Sequence, residues 1–196
     1  MTPSRNWRGT TAEARRAERR ARLLEAGLDL LSGAGEVSVR KVCRATGLTE
    51  RYFYESFDGK DQFVAAVYAW STGVFRDAIA AALRDDPPER TRAVYAAMVD
   101  AAAADPRHGR VVILGALSDA GLARQGGRSV EQVAALIGGP EGDPVDRRLN
   151  GIAIATGTWA LILLWLDGRL EVGRDRLVEH LVALTESAGA ARSGQA

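Results

Sequence analysis

The chain has 196 residues, 46% hydrophobic and 26% charged, an ordinary balance for a soluble globular protein, and it is rich in alanine and arginine with few strand-forming runs. One cysteine, Cys43, excludes an internal disulfide framework, and it falls where a buried thiol acts as a small apolar group or, alternatively, as a redox sensor. Net charge is only +1 but uneven: residues 1 to 60 hold 12 Lys+Arg and 8 Asp+Glu, against 14 and 17 in the remainder, so only the front end suits a polyanion.

Residues 1 to about 14 lack apolar periodicity and contain Pro3 and Gly9, which predicts a mobile arm. Arg5, Arg8, Arg15, Arg16, Arg19, Arg20 and Arg22 make this region basic, suited to a DNA backbone or minor groove, or else to a solvated charged leader. The first 22 residues carry no apolar core of a signal peptide, so a cytoplasmic location is expected. Leu23, Leu24, Leu28 and Leu31 form the apolar stripe of a first helix that Gly33 and Gly35 end.

Residues 38 to 60 read as two short helices around a tight turn. Ser38 stands at an N-cap, and Val39, Val42 and Ala45 recur at helical spacing. Gly47 can take the left-handed conformation past the helix end at no steric cost. Leu48 then packs inward, and Thr49 caps a second helix running through Glu55. Phe53 and Phe57, four apart, face the core, which leaves Glu50, Arg51, Tyr52 and Tyr54 outward. An arginine and two tyrosines on one short helix suit phosphates and base edges.

Val37, Ser38, Val39, Arg40, Lys41 and Val42, then Ala45, Thr46, Gly47, Leu48 and Thr49, then Phe53 to Phe57 and Lys60 together resemble the DNA-binding domain of TetR-type transcriptional regulators, in register over about residues 15 to 63. Tyr52 and Ser56 depart from the small residue and the histidine frequent there in that family, which bears on the bases read. The resemblance implies an all-α protein: an N-terminal three-helix DNA-binding domain with helix-turn-helix (1–58) and a larger helical ligand-binding and dimerisation domain (59–196). Arg51 and Tyr52 are the expected base contacts. Thr49, Tyr54, Ser38, Arg40 and Lys60 are expected mainly at phosphates, Tyr54 and Lys60 being carried over from matching family positions.

Asp58 marks the N-cap of a long helix through Phe63, Val67, Trp70, Val74 and Ile79 to about Arg84, stopped by Pro87 and Pro88. Helices are expected at about 88–104, 107–118 and 128–138, with loops at 119–127 and 138–144. From Gly151 to Leu166 no residue is charged, and apolar side chains go right round the helix, so it must be covered on more than one side. It is shorter than the roughly 20 apolar residues of a bilayer span, which favours a partner subunit as the second cover. A last helix carries Leu177, Leu181, Leu184 and Ala188 at helical spacing, and residues 190–196 are expected to fray. Two such helices from each of two chains would make a four-helix dimer interface, as in the resembled family.

No Cys/His set has metal spacing, no phosphate loop or dinucleotide fingerprint occurs, and His108 and His180 stand apart in sequence; no cofactor and no enzymatic activity are expected. Trp70, Val74, Met98, Leu114, Leu117 and Trp159 are bulky apolar residues on converging segments and are the expected lining of a ligand pocket, although each could equally be packed core and Trp159 could serve the dimer face. The expected function is a homodimeric repressor released from a near-palindromic operator by a small lipophilic or aromatic effector. Two alternatives remain: a helical interaction module whose basic arm binds an acidic protein, and a bundle enzyme acting on an apolar substrate.

Overall fold

A computed structural model describes residues 12–33, 35–118 and 143–193, without the side chains of 114–118, 144, 147 and 188–193. All regular structure among these residues is helical: α1 (Ala12–Ser32), α2 (Val39–Thr46), α3 (Glu50–Tyr54), α4 (Lys60–Ala82), α5 (Arg90–Ala104), α6 (Pro106–Ser118), α7 (Pro144–Leu166) and α8 (Arg174–Ser193). The arm before Ala12, the helix expected over 128–138 and its flanking loops lie outside the described residues. Two compact units divide the chain, Met1–Val67 and Tyr68–Ala196, with the division inside α4.

In the first unit α1 packs on α2 and α3, burying Leu23, Ala26 and Leu28. Gly27 is required by close approach: a Cβ there would lie 2.5 Å from Phe63 and 2.7 Å from Val67, side chains of the opening turns of α4. Asp58, expected as the cap of α4, sits one residue further out. Gly59 precedes the helix, while Asp58 and Gln62 bond reciprocally, the Asp58 amide donating to Gln62 Oε1 at 2.6 Å and Gln62 Nε2 donating to Asp58 Oδ2 at 3.0 Å. Ala45, expected on the inner face of α2, is exposed, and Cys43 takes the buried place beside Val42. Helical geometry explains the swap, since positions four apart from Val39 lie closer to its meridian than positions six apart. Burial, helped by the nearby Glu50 carboxylate, pushes the Cys43 thiol up from its ordinary value, which keeps it an unreactive apolar group and argues against redox sensing.

The second unit has one continuous core, in which Phe75, Tyr95, Met98, Val99, Ile162 and Leu181 are all buried. Helix α5 packs on α6, α7 and α8, and α7 also packs on α6 and α8. The α7 start is well defined: Asp143 accepts from the Val145 and Asp146 amides, and Pro144 occupies the first turn, where its missing N–H costs nothing. Helix α8 runs on through Ser193, beyond the point where fraying was expected. Tyr95 and Thr185 share a hydroxyl hydrogen bond of 2.5 Å across the α5 and α8 contact, and Arg174 grips Asp100 with two bonds of 2.6 and 2.7 Å.

Replacing Gly27 with alanine sets helix propensity, a gain of about 1 kcal/mol, against overpacking of about 1 to 3 kcal/mol. Because both obstructing groups are buried side chains, net destabilisation is expected, read as a lower urea midpoint; a more stable variant would contradict the close approach. The Arg174 guanidinium beside Asp100 holds that carboxyl below its ordinary range. A depressed carboxylate contributes stability that is present above its ordinary pKa of about 4 and lost as pH falls through the lower folded value. The pair is partly exposed, so Asp100→Asn is expected to cost at most about 1 kcal/mol near neutral pH and nothing in strong acid, as checked by unfolding at several pH values.

Candidate nucleic-acid interface

Helix α2 starts where the Ser38 side chain accepts from the Lys41 amide at 3.3 Å. It ends on Gly47 at φ 67°, the left-handed region that glycine enters without penalty. Thr46 tightens the corner by donating to the Val42 carbonyl at 2.9 Å while accepting from the Leu48 amide at 3.3 Å. Thr49 then occupies the N-cap of α3 in an extended conformation, but its side chain makes no cap bond, contrary to expectation. That hydroxyl is exposed and available to another acceptor or donor.

Helix α3 is one and a half turns long and has one buried residue, Phe53. Phe53 has no exposure and meets Phe57 and Phe63 at ring centroid distances of 5.6 and 5.3 Å. With that side turned inward, Tyr52 is 37% and Tyr54 55% exposed, and the Arg51 side chain is 84% exposed. Arg40 and Lys60 are exposed as well, and Ser38 is half-buried because its hydroxyl caps α2. All of the residues expected to read and position DNA except the half-buried Ser38 therefore lie on exposed positions of α2, α3, the α3 cap and the start of α4 within one compact unit.

What the sequence does not disclose is how α1 holds this surface. Arg16 donates to the Glu55 carbonyl at the end of α3, and Arg22 donates to the Thr46 carbonyl at the end of α2, at 2.6 Å. Helix C-termini present unpaired carbonyls and the negative end of the dipole, so guanidinium groups are favoured there. Arg19 lies 4.5 Å above the Tyr52 ring and 3.7 Å from Glu55 Oε2, and Arg20 lies 5.0 Å above the Phe57 ring. Arginines that looked like a solvated leader or a DNA arm are thus fasteners of α2 and α3. Charge and spacing alone carry no sign of this, because the partners are 24 and 39 residues away.

In the second unit the expected pocket residues do not share one environment. Met98 lies inside the packed core, because it is on the face of α5 pressed against α7 and α8. Trp159 is half-buried with its ring edge-on to Phe75 at 4.6 Å, and Val74 is half-buried on α4. Leu114 and Leu117 fall among the side chains outside the description. Trp70 stands edge-on to His108 at 4.8 Å. His108, isolated in sequence, is buried with Nδ1 at 3.1 Å from the Ser71 hydroxyl and Nε2 at 3.9 Å from Asp105 Oδ2.

Ser71, His108 and Asp105 hold the residue types of a nucleophilic triad without its use. Ser71 has no exposure, and Asp105 is gripped by Arg107 through both oxygens, at 3.0 Å to Oδ1 and 2.7 Å to Oδ2. A carbonyl substrate cannot reach that hydroxyl. No group of three or more metal-capable side chains occurs among the described residues.

No protein-family model matches this sequence, and no curated protein matches it either. Solved structures do match its fold. They include a TetR-like transcriptional regulator from Rhodococcus sp. RHA1 (22% identity, 89% of this chain and 97% of that one, TM-score 0.69). A TetR family transcription regulator from Marinobacter aquaeolei VT8 (20% identity, 90% and 97%, TM-score 0.65) and the fatty acid degradation regulator FadR from Bacillus halodurans (17% identity, 85% and 94%, TM-score 0.67) are also similar. The chain is an all-helical protein with an N-terminal helix-turn-helix. Its fold is that of TetR-type transcriptional regulators.

Replacing Arg19 with methionine keeps the aliphatic stem but removes both the cation over Tyr52 and the Glu55 pair. The expected cost is about 1 kcal/mol of stability in denaturant unfolding, since both contacts are partly exposed. An unchanged midpoint would mean that Arg19 is not a fastener of α3.

Proposed function

We propose that the protein is a DNA-binding transcriptional regulator, a homodimeric repressor of a near-palindromic operator that is released by a small lipophilic or aromatic effector. The observation that carries this reading is the surface of α3, where burial of Phe53 turns Arg51, Tyr52 and Tyr54 outward next to the uncapped Thr49 hydroxyl. Such a helix, set after a left-handed glycine turn on a basic unit, has the form that enters a major groove. Arg51 and Tyr52 are assigned to base edges, and Thr49, Tyr54, Ser38, Arg40 and Lys60 mainly to phosphates.

Dimerisation is supported by α7. Its segment Arg148–Leu166 is apolar enough to cross a membrane by length and composition alone, and only 22% of it is buried within this chain. Val145 and Leu149 are 65% and 60% exposed, with Ile152 one turn further on and Leu184 exposed on α8. A soluble chain rarely leaves such a stripe to water, and a second copy covers it with the same stripe in a two-fold arrangement. Leu181, expected at that interface, instead lies wholly inside its own core.

The effector site is placed within the second unit around Trp70, Val74 and Trp159, with Leu114 and Leu117 on α6 and Met98 as the core behind. Half-buried aromatic and aliphatic walls with few charges favour an apolar ligand, since an ion without a buried partner is costly to desolvate. FadR of Bacillus halodurans, with the same fold, regulates fatty acid degradation, which accords with a lipophilic effector here. Release requires that the effector bind one state better than the other; about 5.5 kcal/mol of differential affinity moves a 1:99 population to 99:1.

Selection of duplexes from a random pool tests the reading directly: a near-palindromic site should be recovered, with affinity that falls steeply with salt. Arg51→Ala should relax preference by about 1 to 3 kcal/mol at one position, whereas Lys60→Ala should weaken all sequences alike and reduce the salt slope by about one. Recovery of no preferred sequence would favour an acidic protein partner instead. Leu149→Arg should yield a folded monomer in sedimentation, and Leu181→Arg should cost several kcal/mol of folding by burying an unpaired charge. A dimeric Leu149→Arg variant would exclude this face.

A further inference from the structure

Glu55, at the end of α3, has three attachments. Its carbonyl accepts from Arg16, its Oε2 lies 3.7 Å from Arg19, and its Oε1 accepts from Arg51 Nε at 3.1 Å. An acidic residue on a surface meant for a polyanion is costly in the simple electrostatic sense, because it repels phosphates. The geometry of the Arg51 contact shows what that cost accomplishes.

Of the five guanidinium donors, the carboxylate takes the one on Nε. Both terminal nitrogens, Nη1 and Nη2, have no partner among the described residues, and the side chain is largely exposed. A guanidinium held through Nε presents its terminal edge as a planar fork of two parallel N–H donors. That fork matches the O6 and N7 acceptors of guanine in the major groove, the only base with two acceptors side by side there. An unheld arginine has several rotatable bonds to order on binding, and it meets any phosphate as readily as a base.

We propose that Glu55 is a specificity-determining positioning residue, which holds Arg51 through Nε so that its terminal fork reads a guanine. The same carboxylate holds Arg19 above Tyr52, so both side chains assigned to base edges are oriented from one point on α3. Arg16 fixes the backbone of that point from α1. The inference rests on the DNA-reading function proposed above.

The test is selection of duplexes from a random pool by the parent chain and by its Glu55→Gln, Arg51→Ala and Arg51→Lys variants. The parent should recover a guanine at one position of each half-site. Arg51→Ala should lose that guanine, and Arg51→Lys should read it more weakly than the parent, because an ammonium can still donate to O6 and N7 but has no planar fork. Glu55→Gln keeps the shape and removes the ion pair; it should weaken the guanine preference at that position about tenfold while the other positions keep theirs, and bind random duplex more tightly. A merely structural role for Glu55 would weaken every position alike. Full guanine preference in Glu55→Gln, or in Arg51→Lys if Glu55→Gln does not fold, would overturn the positioning role while leaving DNA reading intact. If the parent recovers no preferred sequence, both readings fall.

Discussion

The exposed face of Arg51, Tyr52 and Tyr54 depends on keeping a helix of five residues in place. A segment that short does not hold a helical conformation by itself, because nucleation fixes several dihedrals for each hydrogen bond gained. Its conformation is maintained by the burial of Phe53 against Phe57 and Phe63, worth roughly 1.5 to 3 kcal/mol for each ring taken fully out of water. Three arginines of α1 supply the rest, two of them on carbonyls at the ends of α2 and α3 and the third between Tyr52 and Glu55. The outward face is therefore only as ordered as the inward contacts. Arg22, which is not on that face, bears on its order through this route.

The second unit solves a different problem, how to bury a helix that is apolar all round. Ile162 and Ala155 face the chain's own core, while Val145, Leu149 and Ile152 do not. Among the described residues α5, α6 and α8 pack on α7, while Val145, Leu149 and Ile152 stay exposed. Alongside this apolar packing sits one buried polar group of unusual composition, in which His108 is satisfied by Ser71 and flanked by Trp70. Its members come from α4 and α6, so the Ser71 and His108 bond ties these two helices together inside the core. The helix that carries Trp70 and Ser71 begins at Lys60, in the unit that bears α3.

Much was legible in the sequence, because much depends on local rules. The turn at Gly47, the cap at Ser38, the inward Phe53 and the limits of the long helices follow from capping, helical period and proline or glycine punctuation, all of which act within a few residues. The all-helical class follows from the same rules repeated along the chain. The outward turn of Arg51, Tyr52 and Tyr54 was likewise legible, since the outward face of a short helix is what remains once its one core aromatic is placed.

The tertiary structure alone decided which of two equivalent roles a residue takes. Arg16, Arg19 and Arg22 are equally fit for water or phosphate, and only the approach of α1 to α2 and α3 commits Arg16 and Arg22 to helix-end carbonyls and Arg19 to Tyr52 and Glu55. Leu181 and Leu149 are both leucines on amphipathic stretches, yet one is core and the other bare, because the direction in which a helix rolls is set by its neighbours. The surroundings of Met98 and His108 are likewise set by residues distant in the chain. Local sequence sets what a side chain can do; long-range packing removes all but one of those possibilities, by spending its hydrogen bonds and apolar surface on a particular partner.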